Sequence, residues 1–159
     1  MRQLSQIFNR QPTIPTFSTS IEFGAFGEQQ AVAWLKRQGY RIVVTNYLAP
    51  LGRSQVGRQL TGEIDIVAYD PTGCLCFIEV KTRTSIQFAA PETAVDLRKQ
   101  RQIIKTARVY RRLLRLADEQ YRYDVVTVVL TDQTVELSIL KNYFSEQRYE
   151  QSRWFRRPS

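Results

Sequence analysis

The chain has 159 residues, with 23 Lys and Arg against 15 Asp and Glu, a formal charge of +8, and no histidine. That length suits one domain with its own core, and without imidazole there is no Ser-His or Cys-His nucleophile pair, no His-ligated zinc and no histidine general base. Chemistry here would run on carboxylates, lysine, tyrosine or hydroxyls with a bound metal, and the positive excess points to a polyanionic partner, nucleic acid being the commonest.

Residues 1–20 are rich in Gln, Ser, Thr and Pro and read as a flexible N-terminal arm, with Pro12 and Pro15 where a signal peptide would carry its apolar core. Ile21 to Gln38 is the first helical segment, stopped by Gly39 and followed by a strand at Tyr40 to Val44. On that helix Ala25, Ala31, Val32 and Leu35 form one apolar stripe, and Glu28 falls inside it. A carboxylate there is either a core hydrogen-bond acceptor or a member of an acidic site. Gly24 and Gly27 would let the helix approach a sheet closely. Asn46 to Thr61, with Pro50, Gly52, Gly57 and no periodicity, reads as a long loop or insertion.

Two strands follow, Glu63 to Tyr69 and Leu75 to Thr82, joined by Asp70-Pro71-Thr72-Gly73. This turn fits a type I turn with a glycine bulge, which pairs Asp70 with Cys74, Asp65 with Glu79 and Glu63 with Lys81. Alternation then puts Glu63, Asp65, Glu79, Lys81 and Arg83 on one face and Ile64, Ile66, Cys76, Ile78 and Val80 on the other. Like charges directly opposite destabilise a sheet. A divalent cation, Mg2+ or Mn2+, would offset the Asp65–Glu79 repulsion, with Lys81 beside it to meet a phosphate oxygen or an attacking water. The other reading is a solvated ion-pair ladder in which Glu63 meets Lys81. Cys74 and Cys76 read as reduced core thiols of a cytoplasmic protein. No stretch reaches the ~18 apolar residues that span a bilayer, so no membrane partner is expected.

The second helix is expected from Pro91 to Ala117. Arg98, Arg101, Lys105, Arg108, Arg112 and Arg115 recur on it at spacings of three and four, opposite Ile103, Ala107, Tyr110, Leu114 and Ala117. With no interleaved acids, this stripe reads as a phosphate-tracking surface in preference to a solvated face. Lys99 projects with the apolar side, either to snorkel past the core or to reach the acidic cluster. Strands at Tyr123 to Leu130 and Val135 to Leu140 follow, with Asp124 as a strand-end acceptor. Residues 145–159 read as a basic aromatic tail, either one that stacks bases or a disordered basic segment after Tyr143 and Phe144 finish the core. Residues 21–144 thus describe one α/β domain.

Gly62-Glu63-Ile64-Asp65-Ile66-Val67-Ala68 followed by Phe77-Ile78-Glu79-Val80-Lys81-Thr82-Arg83 resembles the Asp plus Glu-x-Lys signature of the restriction-endonuclease-like nucleases. With Gly27-Glu28, Gly39-Tyr40, Asn46, Pro91, Ala94-Val95, Lys99 and Tyr123-Asp124-Val125-Val126, the chain is similar over about residues 22–144 to the YraN-type family of small bacterial proteins. The resemblance implies a mixed sheet of about five strands flanked by helices, and metal-dependent phosphodiester hydrolysis. It casts Asp65 and Glu79 as metal ligands, Lys81 as the water- or phosphate-positioning lysine, and Glu28 as the helix acid of resolvase-like members and a further metal ligand. Members of the family pass from Asn46 to the Gly-Glu-Ile-Asp strand by a shorter link, which marks the segment with Gly52 and Gly57 as an insertion. The expected substrate is DNA ahead of RNA, bound by Lys99, Arg98, Arg101, Lys105, Arg108, Arg112 and Arg83. A non-cleaving nucleic-acid-binding module or partner subunit is the rival, and a homodimer is left open.

Overall fold

A computed structural model describes residues 14–84, 95–132 and 134–147, together with the backbone of 4–7. Helix α1 spans Ser20–Arg37. Thr19 caps it by accepting the Glu22 N–H, and the Glu22 carboxylate accepts the Ser18 N–H at 2.8 Å, so two amide donors at the helix start are satisfied. Gly27, Ala31, Trp34 and Leu35 are its buried face. The expected stripe is corrected in two places: Ala25 is exposed, and Trp34, 1% exposed, supplies most of the packing volume. Gly39, with φ +83°, ends the helical path and turns the chain into the sheet.

The strands are β1 (Leu4–Ile7), β2 (Arg41–Arg53), β3 (Gln59–Tyr69), β4 (Leu75–Thr84), β5 (Tyr121–Leu130) and β6 (Val135–Phe144). They form one sheet in the order β1-β6-β5-β4-β3-β2. β4 and β5 run parallel, joined by a crossover through helix α2 (Leu97–Leu113), and the other neighbours are antiparallel. The sheet is therefore mixed, with helices on both faces, an α/β fold consistent with the restriction-endonuclease-like fold. Within the expected N-terminal arm, Leu4–Ile7 pairs with Glu136–Ile139 of β6 and adds a sixth strand at the edge.

Because Leu75 to Val80 are all buried, β4 separates two cores. One packs Ala31, Trp34 and Leu35 of α1 on Ile66, Ala68, Cys76, Ile78, Val80, Val126 and Val128. The other packs Ile103, Ile104, Ala107 and Tyr110 of α2 on Val67, Leu75, Phe77, Tyr123 and Val125. Asp96 caps α2 by accepting the Lys99 N–H at 2.8 Å. The helix is shorter than expected at its C-terminal end: it closes at Leu113, Leu114 is exposed, and Arg115 sits at φ +55° outside it. Its expected start at Pro91 lies outside the described residues, as do 148–159 of the tail. The segment expected as a loop over 46–61 is instead a hairpin arm, with β2 continuing to Arg53 and β3 beginning at Gln59. Among the described residues no helix is long and apolar enough to cross a membrane.

One end of the sheet is tied by Arg122. Its guanidinium donates to both oxygens of Asp124 at 3.0 and 2.9 Å, to Asp70 at 2.7 Å and to the Tyr40 hydroxyl at 3.2 Å. Asp124 also accepts the Asn142 N–H, so it is the structural acceptor expected of it. Burial pushes the Asp70 carboxyl up, but hydrogen bonds from Thr72, Arg122 and Cys74 outweigh it and hold the group well below the usual carboxylate range. Removing the cation takes from two buried carboxylates the charge they share, leaving Asp70 the donors of Thr72 and Cys74 and Asp124 the Asn142 N–H. Arg122→Met should cost about 3–5 kcal/mol in urea unfolding; a loss below ~1 kcal/mol would show that the network is not what holds this end.

Candidate active site

The β3–β4 register sums to 144 from Tyr69–Leu75 to Ile66–Ile78, as the turn chemistry requires. There the ladder stops. The next backbone donor, the Val80 N–H, bonds the Asp65 carboxylate at 2.7 Å in place of a β3 carbonyl. Beyond this point β3 continues with β2 alone, and β4 continues with β5 alone to Thr84. Asp65 and Glu79 thus sit where two strands part, and the expected Glu63–Lys81 pair is not made. Glu63 lies opposite Leu48.

Asn46 marks the same break from the other side. It stands at φ +52° between the Thr45–Ile66 and Tyr47–Ile64 pairs, opposite Asp65. A left-handed residue inside a strand rotates the chain, and asparagine is among the few side chains that tolerate it. Val44 and Tyr47 consequently face the same core, and Ile64 joins the α2-side core while Ile66 lies on the α1 side. This corrects the simple alternation, which put Ile64 with Ile66. The rotation turns Asp65 toward β4.

Glu79 is 2% exposed. Its Oε1 accepts from Lys81 Nζ at 2.8 Å, while Oε2 lies 3.3 Å from Lys99 Nζ without hydrogen-bond geometry and has no other partner. Asp65 is pushed up to about 7, first by burial and next by the Glu79 charge, against the Val80 N–H and Lys99. Lys99 loses solvation at the α2 N-terminus, yet Glu79 and Asp65 more than offset that and hold its ammonium above its ordinary range. From α1, Glu28 also feels the cluster: burial raises it, the Asn46 side chain opposes this, and Glu63 and Glu79 raise it further. Glu28 is placed there by its neighbour Gly27, where a Cβ would run into Thr82 of β4, so α1 comes down close on the sheet. Gly24 faces open space and plays no such part.

Asp65, Glu79, Lys81 and Lys99 meet at the site, and Glu28 and Glu63 act on it by charge from its margin. Two acids lie buried side by side, and Glu79 Oε2 has only the Lys99 ammonium at 3.3 Å, a donor set that fits a hard divalent cation. Among the described residues no three acidic, cysteine or histidine side chains converge into a complete ligand set. Asp65 and Glu79 would supply the protein oxygens, with water and substrate phosphate completing the shell.

On α2, Arg98, Arg101, Lys105 and Arg112 make no ion pair with another described residue, and Lys105 and Arg112 are exposed. Arg108 is a correction: it is bound by Glu146 at 2.6 Å, which also accepts from the Tyr123 hydroxyl. A partner 38 residues away is not visible in a helical pattern. Arg83 lies two residues beyond Lys81 on β4. The site residue that the spacing argument missed is Asn46, whose signal is its single position opposite Asp65.

The sign of the pH response follows from Asp65. Without divalent cation the folded state keeps its proton up to about pH 7, while the unfolded chain releases it near the ordinary 3.8. Stability therefore falls as pH rises through that window and stays low above it. Asp65→Asn retains an acceptor for Val80 and removes the charge. In EDTA its melting temperature should exceed wild type by about 5 °C above pH 7 and converge with it near pH 4; a difference independent of pH would contradict the coupling.

Residues 27–128 match the family described as "Uncharacterised protein family UPF0102". A UPF0102 protein of Trichlorobacter lovleyi is 43% identical over 109 residues, covering 69% of this chain and 78% of its own. One from Caldicellulosiruptor saccharolyticus is 33% identical over 125 residues, covering 77% and 97%. A third, from Chlorobium limicola, is 41% identical over 106 residues, covering 67% and 74%. The family match takes in Asp65, Glu79, α2 and α1 from Gly27 onward, and the chain belongs to the UPF0102 family, the YraN-type group that its strand motifs resemble.

Proposed function

We propose that the protein is a divalent-metal-dependent nuclease that hydrolyses phosphodiester bonds, with DNA the favoured substrate. The observation that carries the reading is the pair Asp65 and Glu79, two buried carboxylates brought together where β3 and β4 part, with lysines on both oxygens of Glu79. Bringing the two acids together raises the Asp65 carboxyl and costs stability once it ionises, and a cation site with an anionic substrate accounts for that cost.

Mg2+ or Mn2+, when bound by Asp65 and Glu79, supplies Lewis-acid stabilisation of a phosphoryl oxygen and lowers the pKa of a bound water. Lys81, a third exposed beside Glu79, is positioned to donate to the attacking water or to a non-bridging phosphate oxygen. Lys99, 3.3 Å from the other oxygen of Glu79, offers a second cation to the substrate. Glu28, its carboxyl raised by burial and by the charges of Glu63 and Glu79, stands at the margin of the site and does not join Asp65 and Glu79 in a three-acid ligand set among the described residues. Arg98, Arg101, Lys105 and Arg112 extend from the Lys99 end of α2 and would neutralise backbone phosphates. A preference for structured or branched DNA is the finer form of the proposal and rests on the resemblance to resolvases.

A non-cleaving nucleic-acid-binding protein is the second reading, favoured by one observation: Lys81 and Lys99 already neutralise Glu79 without a cation. Labelled duplex, single-stranded and branched DNA, and RNA, incubated with Mg2+, Mn2+ or EDTA, separate the two. The nuclease reading expects product only with metal, none for Glu79→Ala, and a rate lowered about 100-fold or more for Lys81→Ala. Metal-independent binding with no product, unchanged in both variants, would sink it.

A further inference from the structure

We propose that the β2–β3 hairpin arm is a second nucleic-acid contact, holding duplex phosphates about six nucleotides from the Asp65–Glu79 site. The inference rests on the nuclease reading of that site and adds to it an element outside the basic face of α2.

Geometry comes first. β3 pairs with β4 only over Ile66–Tyr69, so from Asp65 back to Gln59 it leaves the sheet in company with β2 alone. β4 meanwhile continues to Thr84 beside β5. The two form a fork with the acidic pair at its crotch, Lys81 and Arg83 on one limb and the arm as the other. Six residues of strand from Asp65 to Gln59 reach about 20 Å at the usual rise, which is roughly six nucleotides of one strand. The base of the arm is fixed: Gln102 of α2 donates to the Thr61 carbonyl at 3.0 Å, and a Cβ on Gly62 would collide with Thr106 and Leu51. A rigid base lets the tip hold a set distance from the site.

Charge comes second. Arg41 to Gly62 contains three arginines and no acidic residue. Arg53 and Arg58 stand together at the tip, where Ser54 N–H bonds the Arg58 carbonyl and Arg53 reaches the Gly57 carbonyl at 3.4 Å. Both are exposed and neither pairs with a carboxylate of another described residue. Unopposed like charges at a hairpin tip cost stability, and a polyanion offsets the cost. Val56, 88% exposed, packs on nothing in the fold and gives the tip an apolar point beside its two cations.

The test uses the full chain with Arg53→Ala/Arg58→Ala, and Lys105→Ala/Arg112→Ala as comparator, on a fluorescent DNA duplex long enough to extend past the arm. The arm variant should melt as wild type does, bind about 10-fold more weakly, and show a slope of log affinity against log salt shallower by about two. Turnover at saturating duplex should stay at the wild-type rate with KM raised. Unchanged affinity and slope, with the α2 variant weakened, would overturn the proposal and assign the arm to another partner such as a protein, leaving the nuclease reading intact. If the arm variant loses binding while wild type yields no product with either metal, the contact stands and the catalytic reading fails. A wild type that binds no duplex defeats both.

Discussion

The structure turns on one hydrogen bond, the Val80 N–H to the Asp65 carboxylate. In a regular antiparallel pair that donor would meet a backbone carbonyl. Giving it to a side chain ends the β3–β4 ladder, draws Asp65 against Glu79 and opens the sheet between them. Left-handed Asn46 is the matching event on β2, since it rotates the chain opposite Asp65 and turns Ile64 into the α2-side core. A short stretch of irregular backbone thereby converts a sheet edge-to-edge contact into a crevice reached by α1 from one face and α2 from the other.

The rest of the fold keeps that opening from spreading. At the far end of β3 and β4, Asp70, Asp124, Arg122 and Tyr40 form a closed set of charged hydrogen bonds that ties the β3–β4 turn to β5 and to the end of α1. Glu146 does the same for the end of β6, binding Arg108 of α2 and the Tyr123 hydroxyl. Both carboxylate oxygens of Asp70, Asp124 and Glu146 accept hydrogen bonds, whereas Glu79 keeps an oxygen whose one neighbour is the Lys99 ammonium at 3.3 Å. That contrast distinguishes the structural acids from the acids of the site better than burial does, because Asp124 is as deeply buried as Glu79.

Much of this was legible in the residues. Asp70-Pro71-Thr72-Gly73 specified a turn, the turn specified a register, and the register brought Asp65 beside Glu79 with Lys81 two residues on. Lys99 and Glu28 stood out because each is a charge on an apolar helix face, and both converge on the site. What the pattern did not carry was departure from regularity. Alternation assumes an unbroken strand, so it placed Ile64 wrongly; the arm over residues 46–61 has solvent around its tip and hence no apolar period to announce its strands. Arg108 looked free because its carboxylate partner lies on another element. Trp34, the largest side chain of its core, lies beside the stripe that the smaller apolar residues mark out.

A divalent cation held between the parted strands is what the catalytic reading requires. Anomalous diffraction from a crystal of the protein equilibrated with Mn2+ and a non-cleavable DNA duplex tests it directly. One strong peak is expected within about 2–2.5 Å of carboxylate oxygens of both Asp65 and Glu79, with Lys81 turned to a phosphate oxygen. No peak there at millimolar Mn2+, with Lys81 and Lys99 still on Glu79, would contradict it.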